Sequence, residues 1–81
     1  MIVGIIRRSV VHGIDFRNGD NIEVEQFTGD SPEIINTAMD TAKKKSKKNR
    51  NWYYGTEVWH EHLQSWISCH MYYNGYPILS R

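Results

Sequence analysis

Only one stretch of this 81-residue chain spaces its apolar residues as a helix does. Ile34, Ile35, Ala38, Met39 and Ala42 recur at intervals of three and four and line one face. Asn36, Thr37, Asp40 and Lys44 fall outside that stripe. Asp30-Ser31-Pro32-Glu33 precedes it and offers an N-cap, a first-turn proline and an acid near the positive end of the helix dipole. The spacing predicts a helix from about Pro32 to about Lys47, fraying into Asn49-Arg50-Asn51. Everything before and after reads with the period of a strand.

Ile2 to Phe16 is rich in β-branched residues and reads as strand, interrupted near Gly13. Asn18-Gly19 marks a turn. A three-residue loop, Asn18 to Asp20, sets Phe16 opposite Ile22 and Ile14 opposite Val24, with Asp15, Glu23 and Glu25 on the other face. A one-residue slip would pair apolar with polar.

After the helix, Trp52 to Glu61 reads as strand, His62 to Ser65 as turn and Trp66 to Tyr73 as strand. Asn74-Gly75 is a type I′ turn signal, and Tyr76 to Ser80 is the last strand. A two-residue turn pairs Tyr73 with Tyr76, Met71 with Ile78 and Cys69 with Ser80. Strict alternation then puts Ile67, Cys69, Met71, Tyr73 and Ile78 on the core face, and Trp66, His70, Tyr72 and Leu79 opposite.

The expected fold is a single α+β domain over residues 1–81, one helix packed on one face of an antiparallel sheet of about five strands, in the order ββαβββ. One helix cannot cover both faces of such a sheet. The second face is expected to be solvated or used for contact, with Trp59, Trp66, His70 and Tyr72 as protein-interface residues.

Charge is distributed unevenly. Six of the ten basic residues fall in Lys43-Lys44-Lys45-Ser46-Lys47-Lys48-Asn49-Arg50. The four others, Arg7, Arg8, Arg17 and Arg81, stand against nine acids, a net of −5 outside the run. Pooled positive charge is a candidate surface for anions, nucleic acids above all. Lys43, Lys44, Lys45, Lys47, Lys48 and Arg50 are the candidate phosphate or acidic-partner contacts, with Trp52 or Tyr53 beside them to stack on a base or flank the groove. The alternative is a solvated helix end that keeps a small domain soluble. Asp15, Asp20, Glu23, Glu25 and Asp30 form an acidic counterpart, most simply the polar face of a half-buried hairpin.

Other chemistries find little support. His60-Glu61-His62 could put two imidazoles on one strand face, but Cys69 and His70 alternate and no second cysteine pair exists, so no metal site is expected. Cys69 is the single cysteine and sits at a core-facing position. No nucleophile elbow, phosphate loop or dinucleotide fingerprint is present. The expectation is no catalysis and no cofactor. Ile2 to Ile6 precedes Arg7-Arg8, the reverse of a secretory leader, and no apolar run approaches the roughly 18 residues of a membrane span. With one cysteine, the expected setting is cytoplasmic.

An opening hairpin, one helix over an antiparallel sheet, a strand entered through Tyr54-Gly55-Thr56-Glu57-Val58 and a closing hairpin resemble small phage-encoded anti-defence proteins, anti-CRISPR proteins among them. The resemblance implies a non-enzymatic inhibitor that docks on a host protein or nucleoprotein complex inside a bacterial cell. Such proteins are often acidic nucleic-acid mimics, and the lysine run departs from that pattern. A plain, sequence-nonspecific DNA- or RNA-binding domain is the second expectation. A small structural homodimer or higher oligomer, with the second sheet face buried by a copy of the chain, is the third.

Overall fold

A computed structural model describes residues 1–10 and 22–80, the last two by their backbone. Its elements are β1 (Ile2–Ser9), β2 (Ile22–Thr28), α1 (Glu33–Lys48), β3 (Trp52–His60), β4 (Ser65–Tyr73) and β5 (Tyr76–Ser80). The strands form one antiparallel sheet in the order β2-β1-β3-β4-β5, with the helix between β2 and β3 in sequence and packed on one face. The α+β architecture and the ββαβββ order are as the periodicity predicts. The Asn18-Gly19 turn and the pairing partners Phe16 and Ile14 lie outside the described residues; within them, Ile22 stands opposite Arg7.

The helix begins where the sequence says it should: within the expected capping segment, the Ser31 Oγ accepts from the Glu33 amide at 3.2 Å. The apolar stripe then buries Ala38 and Ala42 completely against Val3, Ile5, Tyr54 and Tyr72. Two alanines at this contact let the helix axis lie close to the sheet. The stripe continues one turn further than its apolar residues. Ser46 is fully buried, donates to the Lys43 carbonyl at 2.7 Å and accepts from the Gly75 amide at 2.9 Å. Both polar groups of this pair are thereby satisfied out of water, where an unmet partner would cost about 1–3 kcal/mol. The helix ends at Asn49, whose backbone turns extended (φ −139°) and whose Oδ1 accepts from the Asn51 amide.

Four consecutive residues of β1, Val3 to Ile6, are buried. Alternation sends Val3 and Ile5 toward the helix and Gly4 and Ile6 to the opposite face, so both faces of this strand are covered. A second cluster, Ile6, Tyr53 and Met71 with Val10 and Tyr73 against it, occupies that opposite face. The expectation of a wholly solvated or contact-making second face is corrected by this cluster: Ile6 and Met71 are as enclosed as the main core.

Three bulges reset which side chain goes where. Ile5 pairs with Glu25 and Ile6 with Glu23, leaving Val24 extra. Thr56 pairs with His70 and Glu57 with Ser68, leaving Cys69 extra. Met71 pairs with Leu79 and Tyr72 with Pro77, leaving Ile78 extra. The expected pairs Met71–Ile78 and Cys69–Ser80 are each displaced by one residue for this reason, and His70 faces Ser80 instead. Ile78, expected in the core, is 37% exposed. Bulges in the edge strands β2 and β5, and Pro77 in β5, also spoil those edges as templates for another strand.

Gly55 has no room for a side chain. A Cβ there would run into the His70 carbonyl and the Met71 sulfur. The β3–β4 turn covers Glu61 to Gln64, one residue earlier than expected, with Gln64 at φ 50°. Asn74 and Gly75 take φ 52° and 82°, as a type I′ turn requires, and Tyr73 pairs with Tyr76.

Candidate functional site at the basic helix end

The six cations do not form one patch. Successive helical residues turn by about 100°, and Ser46 at the buried position divides the lysines into three directions. Lys45 leans toward β2, where Nζ lies 3.9 Å from the Glu25 carboxylate. Both side chains are well exposed there, so the contact is worth roughly 0–1 kcal/mol. Lys43 and Lys47 fall on the opposite flank. They line a cleft of about 520 Å³ whose other wall is Asn74, Gly75, Tyr76 and Pro77 of the β4–β5 turn. Lys44 and Lys48 are exposed on the outer surface, and Arg50 follows, exposed, in the turn to β3. Lys43, Lys44, Lys47 and Lys48 have no carboxylate partner among the described residues.

The cleft is held open by the buried contact beneath it. Ser46 fixes the last helical turn to Gly75. Gly75 in turn lies so near the stem of Lys47 that a Cβ would meet its side-chain carbons. The lysine's methylenes are packed against the turn while its ammonium is free to reach outward. The helix C-terminus carries the negative end of the dipole, so these cations stabilise the helix as well.

Trp52 is placed differently from its expected role. It packs beside the core under the helix, and the Arg7 guanidinium sits 4.3 Å from its ring centroid. One face of the indole is occupied within the chain, at a cation–π contact worth about 0.5–2 kcal/mol. The Nε of Arg7 is buried with no hydrogen-bond partner.

The four expected interface residues separate into two pairs. The Cys69 bulge turns His70 and Tyr72 to the helix side, where both are buried and their rings stack at 6.4 Å. Burial lowers the His70 pKa. Burial, and then the charge of Asp40, raises that of Tyr72. Trp59 and Trp66 lie on the helix-free face, half-buried, edge to face at 5.5 Å. Trp59 Nε1 donates to Glu61 at 2.8 Å, and Leu63 at the tip of the same hairpin is 61% exposed. His70 and Tyr72 therefore belong to the core and not to the surface that Trp59 and Trp66 share.

Glu57 lies beside this tryptophan pair and was not singled out by the sequence. It is buried across from Gly4, where a Cβ would lie at ordinary contact distance from the Glu57 Cγ and the Trp66 ring. Desolvation raises its pKa above the ordinary 4.5; the nearby Glu23 charge raises it further and Arg8 opposes. A glutamate between Thr56 and Val58 in a strand carries no sequence mark of burial.

His60 and His62 approach with ring centroids 6.1 Å apart. Among the described residues no group of three or more His, Cys, Asp and Glu comes together as metal ligands would. No helix among them is long and apolar enough to cross a membrane. No protein-family model, curated protein or solved structure matches this chain.

Proposed function

We propose that this chain is a small non-enzymatic binding protein that grips nucleic-acid phosphates, free or within a nucleoprotein complex, through the end of α1. The observation that carries the reading is the set of four lysines, Lys43, Lys44, Lys47 and Lys48, without carboxylate partners among the described residues, on a helix end pinned to the β4–β5 turn by Ser46. An unpaired cluster of cations on a rigid element neutralises phosphates and releases their counterions, which gives affinity without sequence preference. Fluorescence anisotropy of labelled double-stranded DNA, single-stranded DNA and RNA tests it. Micromolar or tighter binding to at least one, falling steeply with salt, is expected. Absence of binding to all three at low salt would refute it.

A second reading is supported by the far end of the molecule. The Trp59–Trp66 pair and exposed Leu63 give the β3–β4 hairpin an apolar tip suited to a protein partner. In that reading the chain is an inhibitor, of the phage anti-defence kind, docking on a host complex. Trp66→Ala would then weaken capture of the complex more than any single lysine change would.

A further inference from the structure

The β4–β5 turn carries different chemistry on its two sides. On the helix side, Gly75 rests against Lys47, and Lys43 lines the same cleft one helical turn earlier. Tyr76 follows Gly75, lining the cleft at its edge and turning to the other face. It is paired with Tyr73, whose ring packs 5.5 Å from that of Tyr53 on the helix-free face. Tyr53 is paired in turn with Arg8 on β1. One row therefore crosses four strands: Arg8, Tyr53, Tyr73, Tyr76. Exposure rises along it, from a buried Tyr53 through a half-buried Tyr73 to Tyr76 at 71%. The last ring leaves most of its apolar surface in water, next in sequence to the glycine that touches Lys47.

We infer that this turn is a contact for one nucleotide of a single strand, with a phosphate held by Lys43 and Lys47 in the cleft and the neighbouring base stacked on Tyr76. The inference rests on the nucleic-acid reading above and adds strand preference to it. Stacking on a side chain needs a bare base face, which a single strand offers at every nucleotide and a duplex keeps inside its own stack. Gly75 is buried under the Lys47 stem, and Tyr76 is the next residue lining the same cleft, so the lysines and the ring lie within reach of adjacent groups of one strand. The cleft is open to solvent, as contact with a passing strand requires. Tyr76 is held in place by its pairing with Tyr73, so the ring is presented on a strand and not on a loose loop.

The test compares a labelled oligothymidylate with an abasic phosphodiester strand of equal length, which keeps the phosphates and removes the bases. The wild-type chain is expected to bind the oligothymidylate about five- to a hundredfold more tightly, the usual effect of one stacked base. Tyr76→Ala should abolish that difference, and Tyr76→Trp should keep it. Tyr76 is exposed, so the Ala variant is expected to fold; an unchanged urea midpoint verifies that. Equal wild-type affinity for the two strands, or a Tyr76→Ala variant that still prefers bases, overturns the slot and leaves the phosphate reading standing. Failure to bind either strand overturns the slot, and the phosphate reading falls with it only if duplex DNA and RNA are not bound at low salt either.

Discussion

The two ends of this sheet are built on opposite plans. At one end, the last turn of α1 meets the β4–β5 turn through a buried polar contact, Ser46 to Gly75, and the groups that face outward are lysines. At the other, the β3–β4 hairpin is held by the tryptophans themselves, edge to face across the two strands. The basic end therefore separates support from contact: what holds it is buried and what meets a partner is not. At the aromatic end the same rings do both. Changes to the outward-facing lysines of the first end should alter binding with little effect on stability, and changes to the tryptophans of the second should alter stability whatever they do to binding.

The largest expected effect breaks the aromatic end. Trp66→Ala removes a half-buried ring and its cross-strand partner's packing, and should cost about 2 kcal/mol in urea unfolding, below the 3–5 of a fully enclosed tryptophan. Anisotropy with nucleic acid should not change. At the basic end, Lys43→Gln with Lys47→Gln should weaken nucleic-acid binding at least tenfold at low salt, with the unfolding free energy held within about 0.5 kcal/mol. If that double variant unfolds as easily as Trp66→Ala, the separation proposed for this end does not exist.

Ser46→Ala sharpens the comparison from the supporting side. It leaves the buried Gly75 amide without its acceptor, and a loss of about 1–2 kcal/mol is expected. Affinity should fall with it, because the cleft loses its fixed wall. Unchanged stability would mean that the turn finds another acceptor.

The smallest effect concerns Glu57 beside the tryptophans. Its folded-state pKa is raised by burial and by Glu23, with Arg8 opposing, so between 4.5 and the folded-state value the folded chain holds a proton that the unfolded chain has released. Stability tied to this group is full below the ordinary 4.5 and is lost as pH rises through the folded-state value. Glu57→Gln should therefore stabilise the chain at neutral pH and flatten its profile above that point. A variant whose pH profile overlays the wild type would show that the carboxyl reaches water.

Much of this fold is legible in the sequence, and the parts that are not share a cause. The helix follows from a five-residue stripe and a capping segment, and the last hairpin from Asn74-Gly75. Those are local signals. The faces of β4 depend on Cys69, and the pairing of β5 depends on Ile78, each an extra residue in a bulge. Nothing in Ser68-Cys69-His70 announces an inserted residue, so strict alternation sent Tyr72 and His70 to the wrong face. Both are set by pairing across strands that lie apart in sequence. The candidate site is legible in part. The lysine run is visible at once, but its division is not until Ser46 is recognised as the continuation of Ala38 and Ala42 at intervals of four. That spacing was the available signal, hidden because a serine among lysines looks like surface. Tyr76 had no local mark at all beyond its place after Asn74-Gly75.

The most direct measurement is the salt dependence of nucleic-acid binding by the wild-type chain and the Lys43→Gln, Lys47→Gln double variant. Each phosphate contact contributes about 0.7–0.9 to the slope of log affinity against log salt. The double variant is predicted to bind more weakly and to lose about 1.4–1.8 from that slope. Equal slopes, with or without equal affinity, would contradict the claim that this helix end meets phosphates.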